Sequence, residues 1–188
     1  GNLAGPKFKH LLIAPFDLAR RIVELIKAET ASAKAGKPAT IFAKVNSLVD
    51  PEVINALYEA SQAGVRIELV VRGICCLKPG IAGKSDHIRV RSFLGRFLEH
   101  SRLFRFENAE AQPILCVFPL RSAHVRRRIE EEILAVYRDR QGDAKALARD
   151  GEYVNCEPMG RLAPGAQDTF LQLAAKAAQA RLNEQTEK

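Results

Sequence analysis

Two short apolar runs with one helical periodicity between them limit what this chain can fold into more than any other feature. Thr40 to Val45 is strand-sized, and Val65 to Val71 is β-rich and nearly continuous in apolar residues apart from Arg66 and Glu68. Between them, Asp50-Pro51 reads as an N-cap followed by proline at the first helical position. The helix that follows carries Val53, Ile54, Leu57 and Tyr58 inward and stops at Gly64. Upstream, Leu11-Leu12-Ile13-Ala14 is a short run stopped by Pro15, which suits a buried strand. Asp17 then caps a helix whose Leu18, Ile22, Leu25 and Ile26 share one face, and Ala35-Gly36-Lys37-Pro38 ends it. Two strand–helix–strand units in succession predict a sheet with a parallel core.

Past Val71 the pattern changes. Gly73, Pro79, Gly80 and Gly83 predict a loop, and Ile88 to Leu94 predicts a strand with Arg89 and Arg91 on one cationic face. Leu103 to Phe106 and Pro113 to Leu120 each read as one strand. Ser122 to Tyr137 is helical, with Val125, Ile129, Ile133 and Val136 on one side. Its Arg126-Arg127-Arg128 and Glu130-Glu131-Glu132 runs are expected to form a solvated face. Asp143 to Gly165 is polar and irregular, and Ala166 to Leu182 is an Ala-rich closing helix. The expected class is α/β, a mixed and largely parallel sheet flanked by helices. Residues 1–160 would form the domain, and 161–188 a helical tail packed on it or extending from it. The 188 residues, 47% of them hydrophobic, suffice for a sizeable core. The longest apolar runs are strand-sized, so no membrane span is expected, and the N-terminus lacks the basic-then-apolar segment of a secretory signal. Cys75, Cys76, Cys116 and Cys156 show no metal-binding spacing, which favours reduced thiols and a cytoplasmic setting.

Charge narrows the function. The chain carries a net +7, and much of the excess is local. Between Val70 and Glu107 stand Arg72, Lys78, Lys84, Arg89, Arg91, Arg96, Arg102 and Arg105, against Asp86, Glu99 and Glu107 alone. A polyanionic partner follows as the first expectation. Arg72 lies just past the carboxyl end of a strand, where ligands of open α/β sheets gather, with a plain surface arginine as the competing reading. His100 offers a nucleophile, a general acid or a satisfied core histidine. Asn46, at another strand end, fits a site or a turn. Lys78, Lys84, Arg89 and Arg91 suit a path for a polyanion or solvated loops, whereas His10, His87 and His124 match nothing. Cys75 and Cys76 read as small packing residues.

Four stretches say more than periodicity. Lys44-Val-Asn-Ser-Leu-Val-Asp50, Ala60-Ser-Gln-Ala-Gly-Val65, Val71-Arg-Gly-Ile-Cys-Cys-Leu77 and Arg96-Phe-Leu-Glu-His-Ser-Arg102 closely resemble polyphosphate kinases built on the phospholipase D fold. The resemblance runs from about Leu11 to Glu107 and weakly from Val117 to Tyr153, and it points to the second of two phospholipase-D-like halves, the C-terminal domain. It implies reversible transfer of the terminal phosphate of ATP to inorganic polyphosphate through a phosphohistidine carried by the first half. It also implies that His100 is the second half's catalytic histidine, and that Arg72 touches nucleotide phosphates. Arg102 and Asn46 would be phosphate-binding with it. His100-x-Arg102-x4-Glu107 is similar to a degenerate His-x-Lys-x4-Asp signature. Implied partners are ATP or ADP, polyphosphate and the preceding domains of the same enzyme, assembled as a homo-oligomer. Mg²⁺ would arrive with ATP and not be held by this domain alone. No sequence-specific nucleic acid is implied.

The chain also departs from that family. A Ser-Ala-Asp-Trp-Met segment and an Arg-Arg-x-Glu strand would follow Phe106, yet Asn108 runs through residues 109–112 almost directly into Val117-Phe118-Pro119. The family glutamate would fall near Leu115, so that acid is lost, and the chain has no Trp. The alternative is a polyanion-binding module without chemistry. A phospholipase-D-type nuclease is disfavoured because no His-x-Lys occurs.

Overall fold

The computed structural model describes residues 18–108, 114–116, 118–120, 122–139, 144–156 and 164–186. The expected strand at Leu11 to Ala14, the Asp17 cap of the first helix and His10 lie outside them. Helix α1 (Leu18–Lys34) buries Ile22, Leu25 and Ile26, the side its spacing selects. Strand β1 (Thr40–Val45), helix α2 (Pro51–Gln62) and strand β2 (Arg66–Val71) form the strand–helix–strand unit. The Asp50 side chain accepts from the backbone N–H groups of Glu52 and Val53 at 2.9 and 3.1 Å, which satisfies two donors that no helical carbonyl can reach.

Strands β3 (Ile88–Phe93) and β4 (Leu103–Phe106) follow. Instead of one strand from Pro113 to Leu120 there are two short ones, β5 (Ile114–Cys116) and β6 (Phe118–Pro119), folded antiparallel on each other. Pro119 has no N–H to give a ladder, and β6 is accordingly an edge strand. Helix α3 (Ala123–Arg128) starts on a Ser122 cap and passes through a π-helical stretch (Ile129–Leu134) into α4 (Ala135–Asp139). The supposedly irregular region after Asp143 contains a further pair, β7 (Ala144–Leu147) and β8 (Tyr153–Asn155). Ala144-Lys-Ala-Leu147 has little intrinsic strand preference. It is a strand because β3 offers it an open edge, with Phe93 opposite Ala144. Helix α5 (Ala166–Thr186) ends the described chain.

All eight strands join one mixed sheet in the order β6-β5-β4-β1-β2-β3-β7-β8. Its centre, β1–β2–β3, is parallel, and the strands added on both sides are antiparallel. On one face Ile41, Ile67, Leu69, Val71 and Val90 pack under α1 and α2. On the other, Phe42, Val70 and Phe93 meet Leu134, Val136 and Tyr137, with Ala166 from α5. Tyr137 stands edge-on between Phe93 and Phe170, with ring centroids 5.4 and 5.3 Å away. Only the first turn of α5 is buried, through Ala166, Gln167 and Thr169; from Leu171 to Asn183 every residue is exposed.

The Asp50 cap carries a direct expectation. Asp50→Ala should lower stability by about 1 kcal/mol, and Asp50→Ser should restore most of it. Urea unfolding followed by circular dichroism checks this, and equal midpoints for all three proteins would show that the cap contributes nothing.

Candidate functional site

β1 and β2 run parallel with Val45 opposite Val71, so the residues after them leave the sheet side by side. Asn46 and Arg72 are those residues. Their loops are stitched together: the Gly73 N–H donates to the Asn46 carbonyl at 2.8 Å, Leu48 to Ile74 at 2.8 Å and Cys76 to Leu48 at 2.9 Å. A Cβ on residue 73 would lie 3.0 Å from the Asn46 carbonyl oxygen, so glycine is what lets the two loops come this close. On the other side of β1, β4 is antiparallel with Leu103 opposite Lys44, so Arg102 enters the sheet at the same end. Asn46 Nδ2 donates to His100 Nδ1 at 3.0 Å. All four residues singled out in the sequence therefore gather at one end of three neighbouring strands.

Asn46 Nδ2 faces Nδ1 of the imidazole, and the direction of this bond goes with the tautomer of the ring. With Nδ1 accepting, a neutral ring carries its proton on Nε2. His100 is exposed and Arg72 half-buried, and the Arg72 guanidinium has no hydrogen-bond or ion-pair partner among the described residues. The Arg72 carbonyl accepts from Ser92 Oγ at 3.3 Å, which ties the loop back to β3. The site thus presents a hydrogen-bond donor and a planar cation, unclaimed among the described residues, that suits phosphate oxygens.

What holds His100 there was not foreseen in the sequence. Lys44 points into the second core with 3% of its side chain exposed, and its Nζ lies 3.0 Å from Glu99 Oε2. The same ammonium donates to the carbonyl and to the hydroxyl of Ser101, each at 3.0 Å. Glu99 also accepts from Tyr137 Oη at 2.7 Å and from Gln167 Nε2 at 3.0 Å. Gln167 closes the clamp by exchanging two 2.8 Å bonds with the backbone of Phe97. It occupies the space where a Cβ on Gly95 would sit, 2.1 Å from its Oε1. The residues on both sides of His100 are thus fastened to β1, α4 and α5. Burial raises the Glu99 pKa, but hydrogen bonds from Tyr137, Gln167 and Lys44, with the Lys44 charge, outweigh it and hold the carboxyl below the usual range. The available signal was a lysine inside the apolar run of a central strand, a place that demands a partner.

Other expectations part from the site. Glu107, the last member of the His-x-Arg-x4-Glu pattern, stands at the far end of β4, where it accepts from the Thr40 hydroxyl and pairs with Arg105. Arg105 is engaged with Glu130 at 2.7 Å and Thr40 at 3.0 Å, so it is not part of the cationic group near His100. Lys84 lies over the Tyr58 ring, 4.4 Å from its centroid. The Arg128 pair with Glu132, at 2.9 Å, is the solvated face expected of that helix. Burial pushes the Cys75 thiol up, which keeps it protonated and fits a packing role. Among the described residues no three His, Cys, Asp or Glu side chains converge, and Glu99 is occupied by Lys44, Tyr137 and Gln167. No helix among the described residues is long and apolar enough to cross a membrane.

Comparison with known proteins agrees with the geometry. A family profile described as "Polyphosphate kinase C-terminal domain 2" matches residues 11–116. A polyphosphate kinase of Pseudomonas aeruginosa strain PAO1 is 45% identical over an alignment of 186 residues that covers 90% of this chain and 27% of that protein. One from Burkholderia cenocepacia is 44% identical over 74% of this chain and 23% of its own length. The crystal structure of polyphosphate kinase from Porphyromonas gingivalis superposes with a TM-score of 0.80 at 30% identity, covering 92% of this chain and 29% of that one. The chain thus spans about a quarter of the length of the curated relatives it matches.

The clamp predicts an acid-sensitive contribution to stability. Glu99→Gln leaves the Lys44 ammonium buried without its carboxylate, at an expected cost of about 3 kcal/mol near neutral pH. Because the folded Glu99 pKa is lowered, this contribution is complete above the ordinary carboxylate range. It is lost as pH falls through the lowered value. Urea midpoints of the two proteins should differ at pH 7 and draw together as the pH is lowered; a gap that does not narrow with acid would contradict the pairing.

Proposed function

Since the chain belongs to the polyphosphate kinase family, as a match to its C-terminal domain 2, we propose that it is the part of such an enzyme that grips phosphate and supplies the second histidine during reversible transfer between ATP and inorganic polyphosphate. The observation that supports this best is the convergence of Arg72, Asn46, His100 and Arg102 at one end of β4, β1 and β2. Phosphoryl transfer needs positioning and charge stabilisation more than elaborate covalent chemistry, and this set offers both. Arg72 holds oxygens of the migrating group in its planar fork, and Arg102 adds charge from the neighbouring strand. His100, neutral with its proton on Nε2, donates a hydrogen bond from there to the leaving phosphate oxygen and stabilises the charge that gathers on it as the phosphorus–oxygen bond breaks, and it serves the same oxygen in the reverse direction.

The phosphorylated histidine belongs to the preceding half that the resemblance implies, and magnesium comes with the nucleotide. Cys75, Cys76 and Cys156 are free thiols, which suits a cytoplasmic enzyme. Assembly with the preceding domains, and as a homo-oligomer, belongs to the same reading. The alternative, a phosphate-binding module without chemistry, is favoured by the absence of an acid from β5.

Three expected outcomes separate these readings. The 188 residues with ATP, Mg²⁺ and polyphosphate should bind polyphosphate in a salt-sensitive manner and release no ADP; steady polyphosphate-dependent ADP release would show that this segment suffices. With the preceding half of a relative supplied in trans, ADP release should appear, and His100→Ala should reduce it about 10²–10⁴-fold with an unchanged circular dichroism spectrum. Binding without turnover in that mixture would support the module instead. Arg72→Lys should weaken nucleotide binding and slow transfer together, because an ammonium cannot reproduce a two-pronged grip. Unchanged titration and kcat would remove Arg72 from the site.

A further inference from the structure

Among the described residues, the sheet face that carries Phe42, Val70 and Phe93 is covered mainly at its site end. Helix α4 shields its site end, and the cover stops at Arg138, whose guanidinium lies 5.5 Å from the Phe42 ring centroid. Beyond it opens a cavity of about 610 Å³ whose charged lining is Arg89, Arg91, Arg138, Arg149, Glu68 and Asp139. Glu68 opposes Arg89 across β2 and β3, four residues before Arg72 on β2, which places the cavity about 13 Å along the strand from the His100 end.

The charges here are not balanced. Glu68 Oε2 is buried without a hydrogen bond and reaches Arg91 Nη2 and Arg138 Nε only at 3.5 Å. Arg91 Nη1 donates to the Arg138 carbonyl at 3.0 Å, so this guanidinium is fixed in orientation. Arg89 and Arg149 are exposed and have no ion-pair or hydrogen-bond partner among the described residues. A second, polar cavity of about 390 Å³ shares Glu68 and Arg138 and adds Arg66, together with Arg105 and Glu107, which pair with each other, so Arg66 extends the arginines into a band rather than a point.

We propose that this band is a second anion site for linear inorganic polyphosphate, separate from the Arg72–His100 group and occupied by another stretch of the same polymer. This rests on the polyphosphate reading given above. Arginine forks recognise phosphate oxygens, and the larger cavity is many times the roughly 30 Å³ that one water occupies, so it holds several phosphate units. Its lining includes no aromatic ring on which a nucleobase could stack, which favours polyphosphate over single-stranded nucleic acid. A polymer engaged at both places is held by two linked contacts, so affinity should rise once the chain is long enough to span them.

The test uses the 188-residue chain, with Arg89→Gln and Arg149→Gln combined, since neither side chain supports the fold, and Arg72→Gln as the comparison. Calorimetric titration with tripolyphosphate should show two equivalents on the unmodified chain. The Arg89→Gln/Arg149→Gln protein should lose one, and Arg72→Gln the other. For long-chain polyphosphate, the slope of log affinity against log salt should fall by about one to two in the double variant. A single equivalent, lost in Arg72→Gln and unchanged in the double variant, overturns the second site and leaves the proposed function standing. No binding by the unmodified chain overturns both. A single-stranded oligonucleotide that displaces tripolyphosphate from Arg72→Gln as readily as polyphosphate does would overturn the ligand assignment.

Discussion

The buried ion pair between Lys44 and Glu99 is the constraint on which the site depends. An ammonium inside a central strand, with 3% of its side chain exposed, is tolerable only if its charge and its hydrogens are met. Glu99 meets the charge and Ser101 supplies two more oxygens, so the chain on either side of His100 must stay against the sheet. Tyr137 and Gln167 then satisfy the carboxylate and tie the same turn to α4 and α5. Replacing such a pair with apolar residues is often harmless to stability, so its meaning here is positional. It fixes where the imidazole stands relative to Asn46 and Arg72.

The sheet does the remaining placement with very little material. Parallel register between β1 and β2 sends Asn46 and Arg72 out together, and antiparallel β4 brings Arg102 in at the same end. Gly73 permits the loops to touch. The opposite ends of these strands carry a different chemistry, in which Arg105, Glu107 and Glu130 neutralise one another while Arg89 and Arg149 do not. One basic stretch of sequence is therefore divided by the fold into two groups at opposite ends of the strands. A count of charges along the chain could not separate them, because alternation and strand direction decide which end each one reaches.

Much of the central fold was legible because its signals are local. The Asp50-Pro51 start, the strand from Thr40 to Val45 and the strand from Leu103 to Phe106 stand as their residues predict. The β7–β8 pair was not legible, since Ala144 to Leu147 takes its conformation from the edge of β3 and not from its own residues. The reversal within Pro113 to Leu120 escaped for a similar reason, its two halves being too short to show a period. At the site, the motifs single out Arg72, His100, Asn46 and Arg102, and the fold brings these four to one end of the sheet. Gln167 was not legible, because its partner Phe97 lies 70 residues away in the chain. The spacing of His100-x-Arg102-x4-Glu107 does not by itself reveal that a strand carries Glu107 to the opposite end from His100.

The central claim is that the clamp presents His100 to Asn46 with Nδ1 as acceptor and the proton on Nε2. The direct measurement is the pair of ¹⁵N resonances of the His100 ring, recorded by long-range ¹H–¹⁵N correlation with the ring neutral, in the chain and in Glu99→Gln. The account predicts a ring held in the Nε2–H form in the chain and a shift toward a tautomer average when the clamp is weakened. A ring protonated on Nδ1, or the same averaged signals in both proteins, would contradict it.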